Sequence, residues 1–350
     1  MSVALGLAHH EPLCFYRDGS AFAADAGLQG FAIGEPSGDF APGLRDKLPI
    51  LGHLLVERRA RLHHYFFAPN RMTARAGRFI RAVRGVPALH TITSAPANHL
   101  QGRKLRACLF ADAHIVLSRA TEARLVEAGV PESALHRIPA FVPDPGLSGV
   151  HAPTVRASLG LPKSGALLLF PGDLEFGEGA HLVIEALDRL RNEDLIVAIA
   201  ARPKTAAAAE AERRLKARAV ELALEGRVHF LGEVARFHAL VAAADVVALP
   251  SRDLYGKTDQ PLALLEAMAL GRPVLIASGS AAEELAEEGA ALEVDLHAEA
   301  VAEGIRRLLS AEEGRLRGRA SRALYERRFS PDVNLPRYEL VYRSLLLRDD

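Results

Sequence analysis

From Ala166 onward, short runs of consecutive apolar residues alternate with longer stretches whose apolar positions recur every three or four residues. ALLLF, LIVAIA, VHFLG, DVVALP, PVLIA and ALEV read as strands. The stretches between them read as helices, over about 179–190, through the Ala-rich run after Arg202, after Gly232, from near Pro261 to Gly271, near Ala282, and over about 297–309. Strands apolar at every position, not at alternate ones, are buried on both faces, so the pattern predicts a parallel sheet covered by helices on each side. The first half repeats this logic with VALGLA, LHHYFFAP, a helix over about 73–83, VPALHTIT, a helix near Arg103, AHIVLS and a helix through TEARLVEAG. Residues 138–153, IPAFVPDPGLSGVHAP, are dense in Pro and Gly and hold neither period, which marks a hinge. A last helix from Ser330 carries Tyr338, Leu340, Tyr342 and Leu345 to Leu347, which need a surface to cover. The expected organisation is a Rossmann-like domain over 1–143, a linker over 144–165, a second Rossmann-like domain over 166–328, and a helix over 329–350 returning toward the first domain.

Composition narrows the classes. A chain of 350 residues suits two domains. Its 43 Lys and Arg balance 43 Asp and Glu, so no overall basic field recruits nucleic acid. Cys14 and Cys108 are the only cysteines and lie far apart, which fits a reducing compartment and inert core positions. The start, MSVALGLAHHEP, lacks a basic leader with a long apolar run, and no apolar stretch is long enough to span a bilayer, so a cytoplasmic protein is expected. Arg71, Arg75, Arg78, Arg81 and Arg84 recur at helical spacing. That stripe fits a solvated face, or peripheral contact with an anionic membrane or acceptor. His9, His10, His63 and His64 have no HExxH-like spacing and no Asp-x-Asp pair occurs, so neither a metal nor a cofactor is expected. Asp18, Gly19 and Ser20 suit a helix cap early in the chain.

The stretch Asp245 to Ser278 carries a strand, a polar loop, a helix start and another strand, with Pro261 suited to a first helical position. The free N–H groups that open such a helix favour an anion, most often phosphate. Together with ADAHIVLSRATEARLVEAGVPESALHRIPAFVP, LLLFPGDLEFGEGAHLVIEAL and VHFLGEVARFHALVAAADVVALPS, in this order, it resembles the GT-B glycosyltransferases, in particular the large retaining family 4, the glycosyl transferases group 1. The resemblance covers most of the chain. It implies an α/β protein of two Rossmann-like doubly wound parallel-sheet domains facing across a cleft, which moves a hexose-type sugar from a nucleoside-diphosphate donor to a hydroxyl acceptor. In the family the leaving phosphate helps deprotonate that hydroxyl, so retention needs no separate enzymic base and the reaction no metal.

Residue by residue, the resemblance puts Glu266 at the donor ribose, where an ionised carboxylate suits two vicinal hydroxyls, and Leu231 and Gly232 at the base. Gly172, Gly179, Thr258 and Leu262 fall at the donor as well. The chain departs from the family at four places. Thr258 stands where the family has a Glu against the sugar, with Asp259 beside it. Asp173 stands where the family has an Arg, and Gly177, Glu178 and Gly179 where it has a Lys, although a departing diphosphate needs fixed cations or N–H dipoles. Arg202, Lys204 and Lys257 are the substitutes on offer. Thr93 stands where a first-domain His is usual, and His99 is the nearest replacement. The catalytic set is then Asp259, Arg202, Lys204 and His99. Two other readings stay open: a GT-B protein that binds a nucleotide sugar or partner without turnover, and a sugar-nucleotide epimerase on the same fold.

Overall fold

The computed structural model describes residues 6–16, 30–32, 44–97, 99–147, 149–175, 177–203, 205–254 and 258–347. They divide into two compact units. The first takes the described residues within Met1–Ala140, Gly256–Asp259 and Pro331–Asp350, and the second those within Phe141–Tyr255 and Gln260–Ser330.

In the first unit the apolar runs become β3 (His63–Phe66), β4 (Ala88–Ile92), β5 (Ala113–Val116) and β6 (Leu135–Arg137), paired in that order and all parallel. Every residue of β4 and β5 is buried, as strands covered on both faces require. β1 (Cys14–Tyr16) and β2 (Gly30–Ala32) form a separate parallel pair. The strand expected at VALGLA is absent over 6–8, its first residues and the Asp18 to Ser20 cap lying outside the described residues. The first helix, α1 (Leu44–Val56), has no counterpart in the expected pattern because Pro49 interrupts its sequence signal. α2 (Arg71–Arg84) starts at Asn70, whose side chain accepts from the Thr73 N–H. α3 (Gly102–Arg106) and α4 (Arg119–Glu127) follow, the latter capped by Ser118.

The second unit opens with α5 (Ala152–Ser158), inside the stretch expected as linker. Its Arg156 is buried and holds the Gly165 carbonyl at 2.6 Å, the Ala243 carbonyl at 3.2 Å and the Asp245 carboxylate at 2.9 Å. Six parallel strands follow: β7 (Ala166–Phe170), β8 (Leu195–Ile199), β9 (Val228–Phe230), β10 (Val246–Leu249), β11 (Val274–Ala277) and β12 (Leu292–Val294). They are ordered β12-β11-β10-β7-β8-β9. The connecting helices are α6 (Gly179–Arg189), α7 (Ala206–Glu221), α8 (Phe237–Ala243), α9 (Leu262–Ala269) and α10 (Ala298–Leu309), with α11 (Ala311–Leu324) after them. The helix expected near Ala282 is a 3-10 segment, Glu283–Gly289, broken at Glu287 and Glu288.

The chain ends in α12 (Pro331–Leu346), part of the first unit. Tyr338, Tyr342 and Leu345 are buried, and His64 of β3 sits 2.7 Å from the Tyr342 hydroxyl and 2.8 Å from that of Thr91. Leu340 and Leu347 lie on the opposite, exposed face, so the covering surface is narrower than the apolar content of the helix suggests.

Candidate functional site

Chain order reverses at β7, which pairs with β8 on one side and β10 on the other. At such a reversal the loops leaving adjacent strands diverge to opposite faces and open a crevice beyond the strand ends, the usual ligand position in doubly wound sheets. The loops leaving β7 and β10 therefore frame the candidate site of the second unit. Glu266 lies on α9, just beyond, and its side chain is 16% exposed. Burial raises its pKa, and His238 at the start of α8 acts in the opposite sense. His238 Nδ1 lies 3.4 Å from a Glu266 carboxylate oxygen. A poorly hydrated carboxylate that, among the described residues, has a loose contact with His238 has acceptor capacity to offer a ligand. Gly232, two residues after β9, has φ +64 and nothing within 4 Å of where a Cβ would sit, so its backbone borders open space. Leu231, before it, donates its N–H to the Ile199 carbonyl. Leu262, in the first turn of α9, is exposed, and Pro261 with ψ 125 is the cap residue rather than the first helical one.

Other residues named from the sequence have different surroundings. A Cβ on Gly172 would collide with the ring of Phe170, and one on Gly179 with the Ser251 hydroxyl, Phe170 at 3.0 Å and the Pro250 carbonyl at 3.1 Å. Protein packing alone demands glycine at both positions, whether or not a donor binds there. Asp173 accepts from the Glu175 N–H in a local turn, and Glu178 stands exposed at the start of α6 without capping it. Arg202 pairs with Glu233 at 2.8 Å on an exposed surface. Lys204 and Lys257 lie outside the described residues.

Asp259 departs furthest from its expected place at the sugar. It belongs to the first unit and is 0% exposed. Its carboxylate accepts from the Ala95 N–H, the Ser118 hydroxyl and the Thr121 hydroxyl, each at 2.6 Å, and its own N–H donates to the Thr93 carbonyl. The negative charge meets the N-terminus of α4, where the helix dipole favours it. Thr258, its neighbour, is half-buried in the same unit. His99 is exposed on the turn after β4. The arginine stripe of α2 is not uniform either. Arg78 donates to the Leu109 and Ala107 carbonyls, Arg81 pairs with Asp112, and Arg84 donates to the Glu57 carbonyl. Arg71 and Arg75 remain exposed, alongside Met72, Phe79 and Val83.

Among the described residues no group of three His, Cys, Asp or Glu is placed to hold a metal ion, and no helix is long and apolar enough to cross a membrane. Sequence reasoning missed His238 because nothing local marks it. It meets Glu266 only through the packing of α8 on α9.

Two parallel-sheet α/β domains with a crevice at a chain-order reversal define a GT-B type architecture. Residues 152–327, half of the chain, match the family model for glycosyl transferases group 1, and the chain belongs to that family. Solved structures share the fold. HepE of Anabaena, in complex with UDP and glucose, aligns with a TM-score of 0.78 at 19% identity over 92% of this chain and 88% of that one. A glycosyltransferase of Rickettsia africae aligns with 0.77 at 15% identity over 99% and 93%. Sucrose-phosphate synthase of Thermosynechococcus elongatus aligns with 0.75 at 22% identity over 92% and 84%. No curated protein matches the sequence.

Proposed function

We propose that the protein is a retaining, metal-independent hexosyltransferase of the cytoplasm that takes its sugar from a nucleoside diphosphate. The observation that carries this reading is the poorly hydrated Glu266 carboxylate, on the helix after β10 and within the family-matched region, where the resemblance puts the ribose carboxylate. Glu266 accepts from the ribose hydroxyls and the Leu231–Gly232 turn faces the base. The first N–H groups of α6, which Glu178 does not cap, meet the diphosphate, with Arg202 and Lys204 after β8, and Lys257 in the segment after β10, as the cations on offer in the sequence. Residues 1–143 supply the acceptor side, His99 included. The UDP and glucose bound by HepE make uridine nucleotides the first to test.

A second reading, binding without turnover, is favoured by Asp173 and Glu178, which put carboxylates where family members have cations. The test is a thermal-shift panel of UDP-, GDP-, ADP- and dTDP-sugars with Glu266→Ala beside the natural chain, followed by assay of nucleoside diphosphate released with chelator present. A raised melting point that Glu266→Ala abolishes, with release of diphosphate, supports the transferase. Binding without release supports the second reading, and a panel that leaves the melting point unmoved overturns both.

The acceptor side includes a proposed peripheral contact with an anionic membrane through α2. Met72, Phe79 and Val83 share its exposed face with Arg71 and Arg75, the pairing of apolar anchor and basic flank that suits a charged lipid surface. Co-sedimentation with phosphatidylglycerol vesicles, abolished in Phe79→Ser with Arg75→Ala, is the expected result. Equal sedimentation of both proteins overturns it.

A further inference from the structure

We infer that His238 is a positioning residue for the nucleoside, a second group that sets how Glu266 receives the ribose. The inference rests on the proposed donor site and adds to it a residue that the sequence pattern did not single out. Three observations converge. His238 stands on α8, which directly follows the Leu231–Gly232 turn, so it lies in the chain between the base-facing backbone and the ribose carboxylate. Its ring is 54% exposed, whereas Glu266 is 16% exposed, so the pair has one wet and one dry end, as expected for groups at the mouth of a pocket. Their separation of 3.4 Å is longer than a well-formed hydrogen bond.

The chemistry follows from the donor and acceptor inventory. An ionised carboxylate can only accept, so the facing Nδ1 of His238 carries the proton and donates. That contact biases the carboxylate toward one orientation and opposes the loss of hydration that would otherwise favour a neutral acid. A neutral acid turns one of its two oxygens into a donor and accepts more weakly at the other, so it suits two vicinal hydroxyls less well than the carboxylate does. The long separation leaves the pair able to tighten when a ribose arrives. His238 thus acts through Glu266, and its effect is confined to ligands that bear ribose hydroxyls.

The experiment is calorimetric titration with UDP and with 2′,3′-dideoxyuridine diphosphate, using the natural chain, Glu266→Ala, His238→Ala, His238→Asn and the double variant. An asparagine amide can place a donor close to the histidine Nδ1 position. The expected result is that His238→Ala weakens UDP about threefold to tenfold and leaves the dideoxy analogue unchanged. His238→Asn restores most of the loss. In the double variant the His238 change adds nothing to the larger loss caused by Glu266→Ala, because its partner is gone. Circular dichroism melts confirm that the variants fold. UDP binding that depends on Glu266 but not on His238 overturns this inference alone, as does an equal loss for both ligands. If the natural chain binds no nucleoside diphosphate, GDP, ADP and dTDP included, the donor-site reading fails and takes this inference with it.

Discussion

Single residues here have roles that their neighbours in space decide. Gly172 is required because the Phe170 ring occupies the volume a side chain would need. Gly172→Ala is expected to lower stability by about 1–3 kcal/mol through overpacking, read as an earlier denaturant midpoint, with or without nucleotide present. Asp259 makes the same point for charge. A residue that touched only substrate could be truncated at no structural cost, whereas this carboxylate satisfies two hydroxyls and one backbone N–H in the interior of the first unit. Asp259→Ala strands those donors and is expected to cost on the order of 2–3 kcal/mol, read by calorimetric melting. An unchanged melting temperature would return Asp259 to the sugar site. Both residues were visible in the sequence as a loop glycine and a loop acid. Their partners were not, because Ser118 and Thr121 lie 141 and 138 positions away.

At the level of elements, the βα alternation after Ala166 was legible because burial on both faces leaves no polar position in the central strands β7, β8, β10 and β11. Caps at Ser118, Thr205, His297 and Ser310 sharpen the helix starts, each accepting a backbone N–H three residues on. α1 escaped notice because an interior proline ordinarily argues against a helix. α5 lay hidden in a Pro- and Gly-rich stretch, and it is held by one buried guanidinium rather than by an apolar face. Arg156→Met removes a donor to two carbonyls and to Asp245, which also accepts from the Leu167 N–H. The variant is expected to lose about 1–3 kcal/mol in urea unfolding, since two carbonyls inside the unit lose their donor while the exposed Asp245 keeps the Leu167 N–H. A loss below about 1 kcal/mol would mean that α5 docks through its remaining contacts.

For the molecule as a whole, the two units should differ in their response to acid. The first unit buries His63, His90 and His114 and half-buries His64 on three adjacent strands. Burial lowers their pKa values to about 4, 3, 4 and 3 in turn. Arg84 reinforces the shift at His63, and His90 reinforces it at His64 and His114. The carbonyl of Phe67 opposes it at His90. Each folded value lies below the unfolded one near 6.5, so the unfolded chain binds more protons between pH 6.5 and about 4. Stability from these residues is fully present above pH 6.5 and is lost as pH falls through that window, by up to about 1.4 kcal/mol per pH unit for each histidine. Melting followed by hydrogen exchange should show the first unit opening earlier at pH 5 than at pH 7, with His114→Phe reducing the difference. Equal protection of both units at the two values would contradict the expectation.

Periodicity and ordered motifs sufficed to read two parallel-sheet halves, the strands of the second and most of those of the first, and the family, because these signals are local and repeat along the chain. The packing partners of Asp259, the Glu266 and His238 pair, the split of the α2 arginines between carbonyls and solvent, and the α5 clamp were settled only by the fold. Each depends on side chains brought together from distant positions, and a one-dimensional pattern carries no record of which distant group will fill a given space or answer a given charge.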